Sequence, residues 1–188
     1  MTHAADAVIA ATRAWVRHAV VGLNLCPFAK APLAKDQIRW VCSDAADAET
    51  LLEQLIDELR LLTDSDPESL ETTLLIHPQV LTDFLDYNDF LDQADAALDA
   101  LGLSGTVQIA SFHPQYQFAG TAPADLGNAT NRSPYPTLHL LREASVERAV
   151  AALPQAEAIF EANQRTLEAL GADGWATLQA RFKPSAPT

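Results

Sequence analysis

The chain is poor in cysteine, with only Cys26 and Cys42 among 188 residues. Two thiols are too few for a disulfide framework. A chain of this length needs none, because it buries roughly 70% of its unfolded surface without help. It is also poor in basic charge, with 12 Lys and Arg against 25 Asp and Glu and a net charge of -13. Nucleic-acid binding requires a clustered basic footprint, and none is present. Anionic membrane surfaces are disfavoured for the same reason. No apolar run approaches the ~20 residues of a membrane span. The opening MTHAADAVIAATRAWVRH lacks the continuous apolar core of a signal peptide. Together these absences predict a reduced, cytoplasmic protein. Gly-rich phosphate loops, a GxSxG elbow, CxxC pairs and HExxH are missing as well.

The acidity that remains is local. Residues 1–35 carry four basic and one acidic side chain, residues 36–100 two and seventeen, and residues 101–188 six and seven. The excess therefore sits on the middle helices and their loops, as a solvated face that aids solubility.

Hydrophobic spacing gives the elements. Residues 4–21 form an amphipathic helix with Val8, Ile9, Thr12, Trp15, Val16, Ala19 and Val20 on its stripe, ended by Gly22. In GLNLCPFAKAPL, Pro27 suits the first position of a short helical turn that Pro32 stops, making Cys26 its N-cap. A thiol at a positive helix end with Lys30 one turn on would have a lowered pKa. The plainer expectation is a half-buried thiol packed under the first helix. Gln37–Ser43 alternates as a strand, with Ile38, Trp40 and Cys42 on one face. Ala48–Leu62 is a helix. Thr72–Ile76 reads as a central strand buried on both faces. A short turn around Val80–Phe84 precedes a helix capped by Asn88 and ended by Gly102. Thr106–Phe112 and Thr137–Leu141 are the last strands. Ser145 caps a helix with Val146, Ala149, Val150 and Leu153 inside. Pro154 opens another, which Gly171 ends, and Trp175, Leu178 and Phe182 mark a final one.

Strands alternating with helices imply βαβ units and a parallel core. The fourth strand follows a long loop without helical pattern, so an antiparallel pairing with the third is expected. The fold class is α/β (α+β): a small mixed four-stranded sheet covered by helices, with an N-terminal helix and C-terminal helices. Residues 1–183 should make one globular domain, 143–183 being its helical part, followed by a disordered tail at 184–188.

The chain is organised around TVQIASFHPQYQFAGTAPADLGNATNRSPYPTLHLLR, residues 106–142, in which two apolar runs enclose a long polar loop. Such loops are mostly functional or disordered. Two strands end in the same dipeptide, His77-Pro78 and His113-Pro114. If those strands are parallel, both histidines emerge at the carboxyl edge of the sheet, where open α/β sheets bind ligands. An antiparallel fourth strand begins there too, bringing Arg132, Ser133 and Tyr135 alongside. Arg132 can grip a carboxylate or phosphate bidentately, and Asn131 and Tyr116 can add hydrogen bonds. The expected ligand is a small anion. His113, His77 and Cys26 are the candidate acid/base and nucleophilic groups of an enzyme acting on it. A non-catalytic binding module using the same pocket is the alternative. A metal site of His77, His113 and His139 is a third, though their spacing matches no compact ligand motif. Each histidine could equally pack at a strand end with its ring bonded to backbone, and Arg132 could pair with one of the many acids. Asn163, which interrupts an apolar stripe, should be a hydrogen-bonded tie between helices.

GLNLCPFA, the two His-Pro strand ends and TNRSPYPTLHLLRE together resemble a bacterial family catalogued as domain of unknown function 1415, over about Ala14 to Trp175. The resemblance implies a soluble bacterial protein of this size. It implies no activity, cofactor or catalytic residue.

Overall fold

A computed structural model describes residues 2–151 and 159–183. Its elements are α1 (Thr2–Trp15), a π-helical turn (Val16–Val21), α2 (Lys30–Ala34), β1 (Ile38–Cys42), α3 (Ala48–Asp64), β2 (Thr72–Ile76), α4 (Phe84–Ala100), β3 (Val107–Phe112), a 3-10 helix (Leu126–Asn131), β4 (Thr137–Arg142), α5 (Glu143–Ala151) and α6 (Ile159–Gln179). The four strands form one mixed sheet in the order β1-β2-β4-β3. β1 and β2 are parallel, and β4 runs antiparallel between β2 and β3. The expected α+β architecture and the antiparallel fourth strand are therefore both present. Among the described residues no helix is long and apolar enough to cross a membrane.

Alternation along the strands divides the core in two. Leu75, Leu138, Leu140 and Val107 face Leu51, Leu55, Leu59, Tyr87, Phe90 and Ala94 of α3 and α4. Ile38, Leu74 and Ile76 face Trp15, Val16, Ala19, Leu167 and Trp175, on α1, the π-helical turn and α6. β2 is buried along its whole length, as its run of apolar and β-branched residues suggests.

Several boundaries differ from those the sequence suggests. α4 begins at Phe84, because the Asp83 side chain accepts hydrogen bonds from the Leu85 and Asp86 amides at 2.8 and 3.3 Å. Asn88 lies inside the helix. This earlier start makes Tyr87 helical and turns it into the core. α5 follows β4 without a gap, so Ser145 is not its cap; its hydroxyl instead accepts from Arg148 at 2.8 Å. Gly22 does not end the first helix through a left-handed conformation, since its φ is -64°. It is required because a Cβ there would lie 2.2 Å from the His18 carbonyl oxygen, across the widened π-helical turn. Gly171 does break α6, at φ 70°. Leu153, Pro154 and the 184–188 tail fall outside the described residues.

Candidate functional site at the carboxyl edge of the sheet

Register places the ends of β1, β2 and β3 and the start of β4 together. Cys42 pairs with Ile76, and both Ile76 and Phe112 pair with Thr137. The next residue of β2 is His77, and of β3, His113. The His77 amide donates to the Pro136 carbonyl at 3.0 Å and the His113 amide to the Asn131 carbonyl at 3.1 Å. The two histidines and the segment from Asn131 to Tyr135 thus share one edge.

Period-2 alternation sends both imidazoles to the α4 side, in step with Leu75 and opposite to Phe112. Both residues are fully buried. Tyr87 lies between them, its ring centroid 5.6 Å from His77 and 5.2 Å from His113, at interplanar angles of 25° and 31°. β2 and β3 are separated by β4, hence by about 10 Å, which leaves room for one ring between the imidazoles. The Tyr87 hydroxyl donates to the Thr137 carbonyl at 2.9 Å and accepts from the Phe112 amide at 3.1 Å. One side chain of α4 thereby clasps β3 and β4 where they enter the loop.

The histidine protons follow from their partners. His77 Nδ1 lies 3.0 Å from the Val80 carbonyl. A carbonyl only accepts, so Nδ1 carries the proton and the neutral ring has a bare Nε2. His113 Nδ1 accepts from the Gln115 amide at 3.1 Å, so in the neutral ring Nε2 carries the proton. Among the described residues both Nε2 atoms are buried without a hydrogen-bond partner. Burial pushes the His77 pKa down to about 4, against a smaller opposing pull from the Val80 carbonyl. Burial also lowers His113, opposed by the Leu81 and Thr82 backbone and the Asp83 carboxylate. Leu81 holds φ 54°, a left-handed conformation that costs a branched residue roughly 1–3 kcal/mol. The strain lies in the turn that brings this backbone to His113.

The loop after His113 is fixed by side chains bonded to its own backbone. Buried Asn128 accepts from the Phe118 amide at 3.0 Å and the Thr121 hydroxyl at 2.9 Å, and donates to the Ala122 carbonyl at 2.8 Å. Asn131 donates its amide to the Ser111 carbonyl at 3.1 Å. Ser133 donates to the Tyr135 carbonyl at 2.6 Å. These two side chains are structural ties, so the sequence expectation that they point at a ligand is not met. Arg132 donates from Nε to the Tyr116 carbonyl at 3.0 Å and from Nη2 to the Pro123 carbonyl at 2.7 Å. It is half-buried rather than freely exposed, and burial lowers its pKa. Among the described residues it has no carboxylate partner within 4.0 Å and Nη1 makes no hydrogen bond.

Arg132, Phe84, Leu85, Pro114, Gln115, Gln117 and Pro123 line an open depression of about 500 Å³. Phe84 roofs the histidine beneath it, its ring 5.5 Å from His113 and 5.2 Å from Tyr116. A second depression of about 410 Å³ lies at the amino edge, along Asp36–Trp40. Its cations are engaged: Arg39 grips Glu58 at 2.7 and 2.9 Å, and Arg13 sits 5.2 Å above Trp40.

Other candidates lie elsewhere. Cys26 is not a helix cap, because α2 starts at Lys30 behind Ala29. The Phe28 and Ala29 backbone favours its thiolate, but burial outweighs this and raises its pKa. The expectation of an activated thiol is thus overturned by desolvation. Cys26 and Tyr135 pack against the α1/α6 core, on the face away from Tyr87. Tyr135 has a raised pKa through burial and the nearby Cys42. His139 also points to that face, 6.1 Å from Phe112. The Thr72 hydroxyl spends its proton on the Leu140 carbonyl at 2.6 Å, so it accepts from His139 Nε2 at 2.7 Å. Burial holds the His139 pKa near 4. The sheet therefore separates His139 from His77 and His113, and the three cannot share a metal. Among the described residues no cluster of three or more His, Cys, Asp or Glu is grouped for one. Asn163 is the tie its position suggests, although it bonds the Leu25 carbonyl at 2.8 Å rather than another helix.

Sequence reasoning missed Tyr87 and Phe84. Their signal is the helical spacing of Phe84, Tyr87, Phe90, Leu91 and Ala94, hidden by starting the helix at Asn88. No curated protein and no solved structure matches the chain. A family model matches residues 7–177, a span that contains the π-helical turn, the whole sheet, both His-Pro strand ends and the loop. The chain belongs to the family described as "Protein of unknown function (DUF1415)".

Proposed function

We propose that this protein binds a small anionic molecule in the depression beside Arg132, as a binding module. One observation carries the reading. In a chain of net charge -13, Arg132 is a half-buried guanidinium with no carboxylate partner among the described residues, and it lines a depression with Nη1 unbonded. Its Nε and Nη2 bonds fix the plane of the fork, so a carboxylate or phosphate meets preorganised donors. A charge-assisted bond of this kind is worth roughly 1.5–3 kcal/mol.

The enzyme reading has one supporting observation of its own. Among the described residues His113 Nε2 makes no hydrogen bond, its ring lies 5.5 Å from that of Phe84, and its neighbours Pro114 and Gln115 line the same depression. In this conformation Phe84 and the surrounding chain bury it, so proton transfer to a ligand would require Phe84 to move.

The test uses calorimetric titration of the full chain with acetate and inorganic phosphate. Arg132→Ala alone is ambiguous, since it also removes two loop bonds. Gln115→Glu supplies the second arm: it adds a negative charge at an exposed position on the depression and leaves the Arg132 bonds intact. The expected result is saturable binding weakened about tenfold or more by Gln115→Glu. Anion binding that is indifferent to Gln115→Glu and to Arg132→Lys would overturn the site.

A further inference from the structure

We infer that the ligand class is a monocarboxylate with an apolar body, held acid-first on Arg132 with its body against Leu85, Phe84, Pro114 and Pro123. This rests on the anion site just proposed and narrows its occupant.

The lining is the first argument. Four of its seven residues are apolar, two are the amides Gln115 and Gln117, and one is charged. Leu85 is 71% exposed. Its place explains why a large aliphatic side chain is so open: it is the second residue of α4, and Asp83 and Asp86 on either side bind or face solvent while Leu85 lines the depression. A highly charged metabolite gains nothing from such walls. An apolar body covers them and leaves water.

The charge is the second argument. Among the described residues only one cationic group lines the depression. Carboxylates flank it along the chain: Asp83 and Asp86 open α4 beside Phe84 and Leu85, and Asp125 follows Pro123 by two residues. A single negative charge can be met by Arg132. A second charge on the same ligand would find no cation and would face the acidic surroundings. Phosphate monoesters and dicarboxylates are disfavoured on this count, and a monocarboxylate is not. The third argument is size, since about 500 Å³ lies in the ordinary range of small-molecule pockets.

The experiment titrates the full chain with acetate, inorganic phosphate, hexanoate, 3-phenylpropionate and the amide of the last. Each fully buried methylene multiplies affinity about fourfold. Even half-effective burial of the four extra methylenes of hexanoate predicts at least a tenfold gain over acetate. 3-Phenylpropionate should behave likewise, and its amide should bind at least tenfold more weakly than the acid. Leu85→Ser, at a position too exposed to support the fold, should weaken the two apolar acids several-fold more than it weakens acetate. Equal affinity for acetate, phosphate and the apolar acids would overturn this inference and leave the anion site standing. An amide that binds as well as its acid, or no binding by any probe, would overturn both.

Discussion

The strand ends His77-Pro78 and His113-Pro114 share a dipeptide, an edge and a face of the sheet, and both rings lie against Tyr87. They nevertheless hold their protons on opposite nitrogens. After His113 the turn is closed by the Tyr116 amide on the His113 carbonyl at 3.1 Å. Within that turn the Gln115 N–H meets the ring, and the ring must accept. After His77 the turn over Pro78 and Gln79 offers the ring no backbone N–H among the described residues. The chain runs on towards α4 and presents the Val80 carbonyl instead, so the ring must donate. The tautomer is thus set by the turn that follows and not by the residue, its burial or its aromatic neighbour. It also separates two roles. The His77 turn leads into the helix that carries Tyr87 and Phe84, whereas the His113 turn leads into the loop that carries Arg132.

The largest effect should come from the residue the two ends have in common. Tyr87→Phe keeps the ring between the imidazoles and removes only the hydroxyl that serves the Thr137 carbonyl and the Phe112 amide. Leaving two backbone groups short of a partner in a buried site costs about 1–3 kcal/mol each. The expected loss is therefore about 2–6 kcal/mol in urea denaturation, with an unchanged m-value. A loss under about 1 kcal/mol would show that the stack alone, without the clasp, holds the two ends together.

How much of this was legible beforehand depends on the kind of signal. The common direction of the helix-linked strands was readable, because apolar and β-branched Thr72–Ile76 between two helical patterns implies βαβ units; strand order and the polarity of the fourth strand were not. From that common direction the shared edge of His77 and His113 followed. The destination of each polar side chain was not readable. Asn128, Asn131, Ser133 and Arg132 look alike as donors in sequence, but all four are bonded to backbone of their own loop or strand. Such bonds depend on loop conformation, which has no periodicity to read. Cys26 failed for a related reason. Two prolines fit a helix cap on paper, but the chain placed the helix start three residues later and left the thiol half-buried against the core. Tyr87 was lost to a boundary, since Asp83 competes with Asn88 as a cap and only the fold decides between them.

The intermediate effect is on acid stability. His77 and His139 titrate near 4 in the fold, and His113 is also lowered. In the unfolded chain a histidine titrates at about 6.5. Between those values the unfolded state binds the more protons, so stability is complete above about pH 6.5 and is lost as pH falls towards 4. The slope is at most about 1.4 kcal/mol per pH unit for each such histidine. The upper part of this window lies above the ordinary range of carboxylates, so urea midpoints between pH 7 and 5 isolate the histidines. His77→Asn and His113→Asn should each flatten the curve. A flat wild-type curve in that interval would mean that neither strand end holds its imidazole neutral.

The smallest effect leaves stability untouched and bears on the comparison most directly. At pH 7.5 both rings are neutral, and long-range proton–nitrogen correlation spectra report which ring nitrogen carries the proton. His77 should appear as the Nδ1–H form, since the Val80 carbonyl can only accept. His113 should appear as the Nε2–H form, since the Gln115 amide can only donate. Gln115→Pro provides the control, because it deletes the one N–H that makes His113 accept. With that donor gone, His113 should lose its fixed tautomer while the His77 signals stay where they are. Should both histidines show the same tautomer in the wild type, the following turns do not set the protons. If the shared form is Nδ1–H, the Nε2 of His113 is a bare acceptor, and the proton it would need to transfer to a ligand is absent.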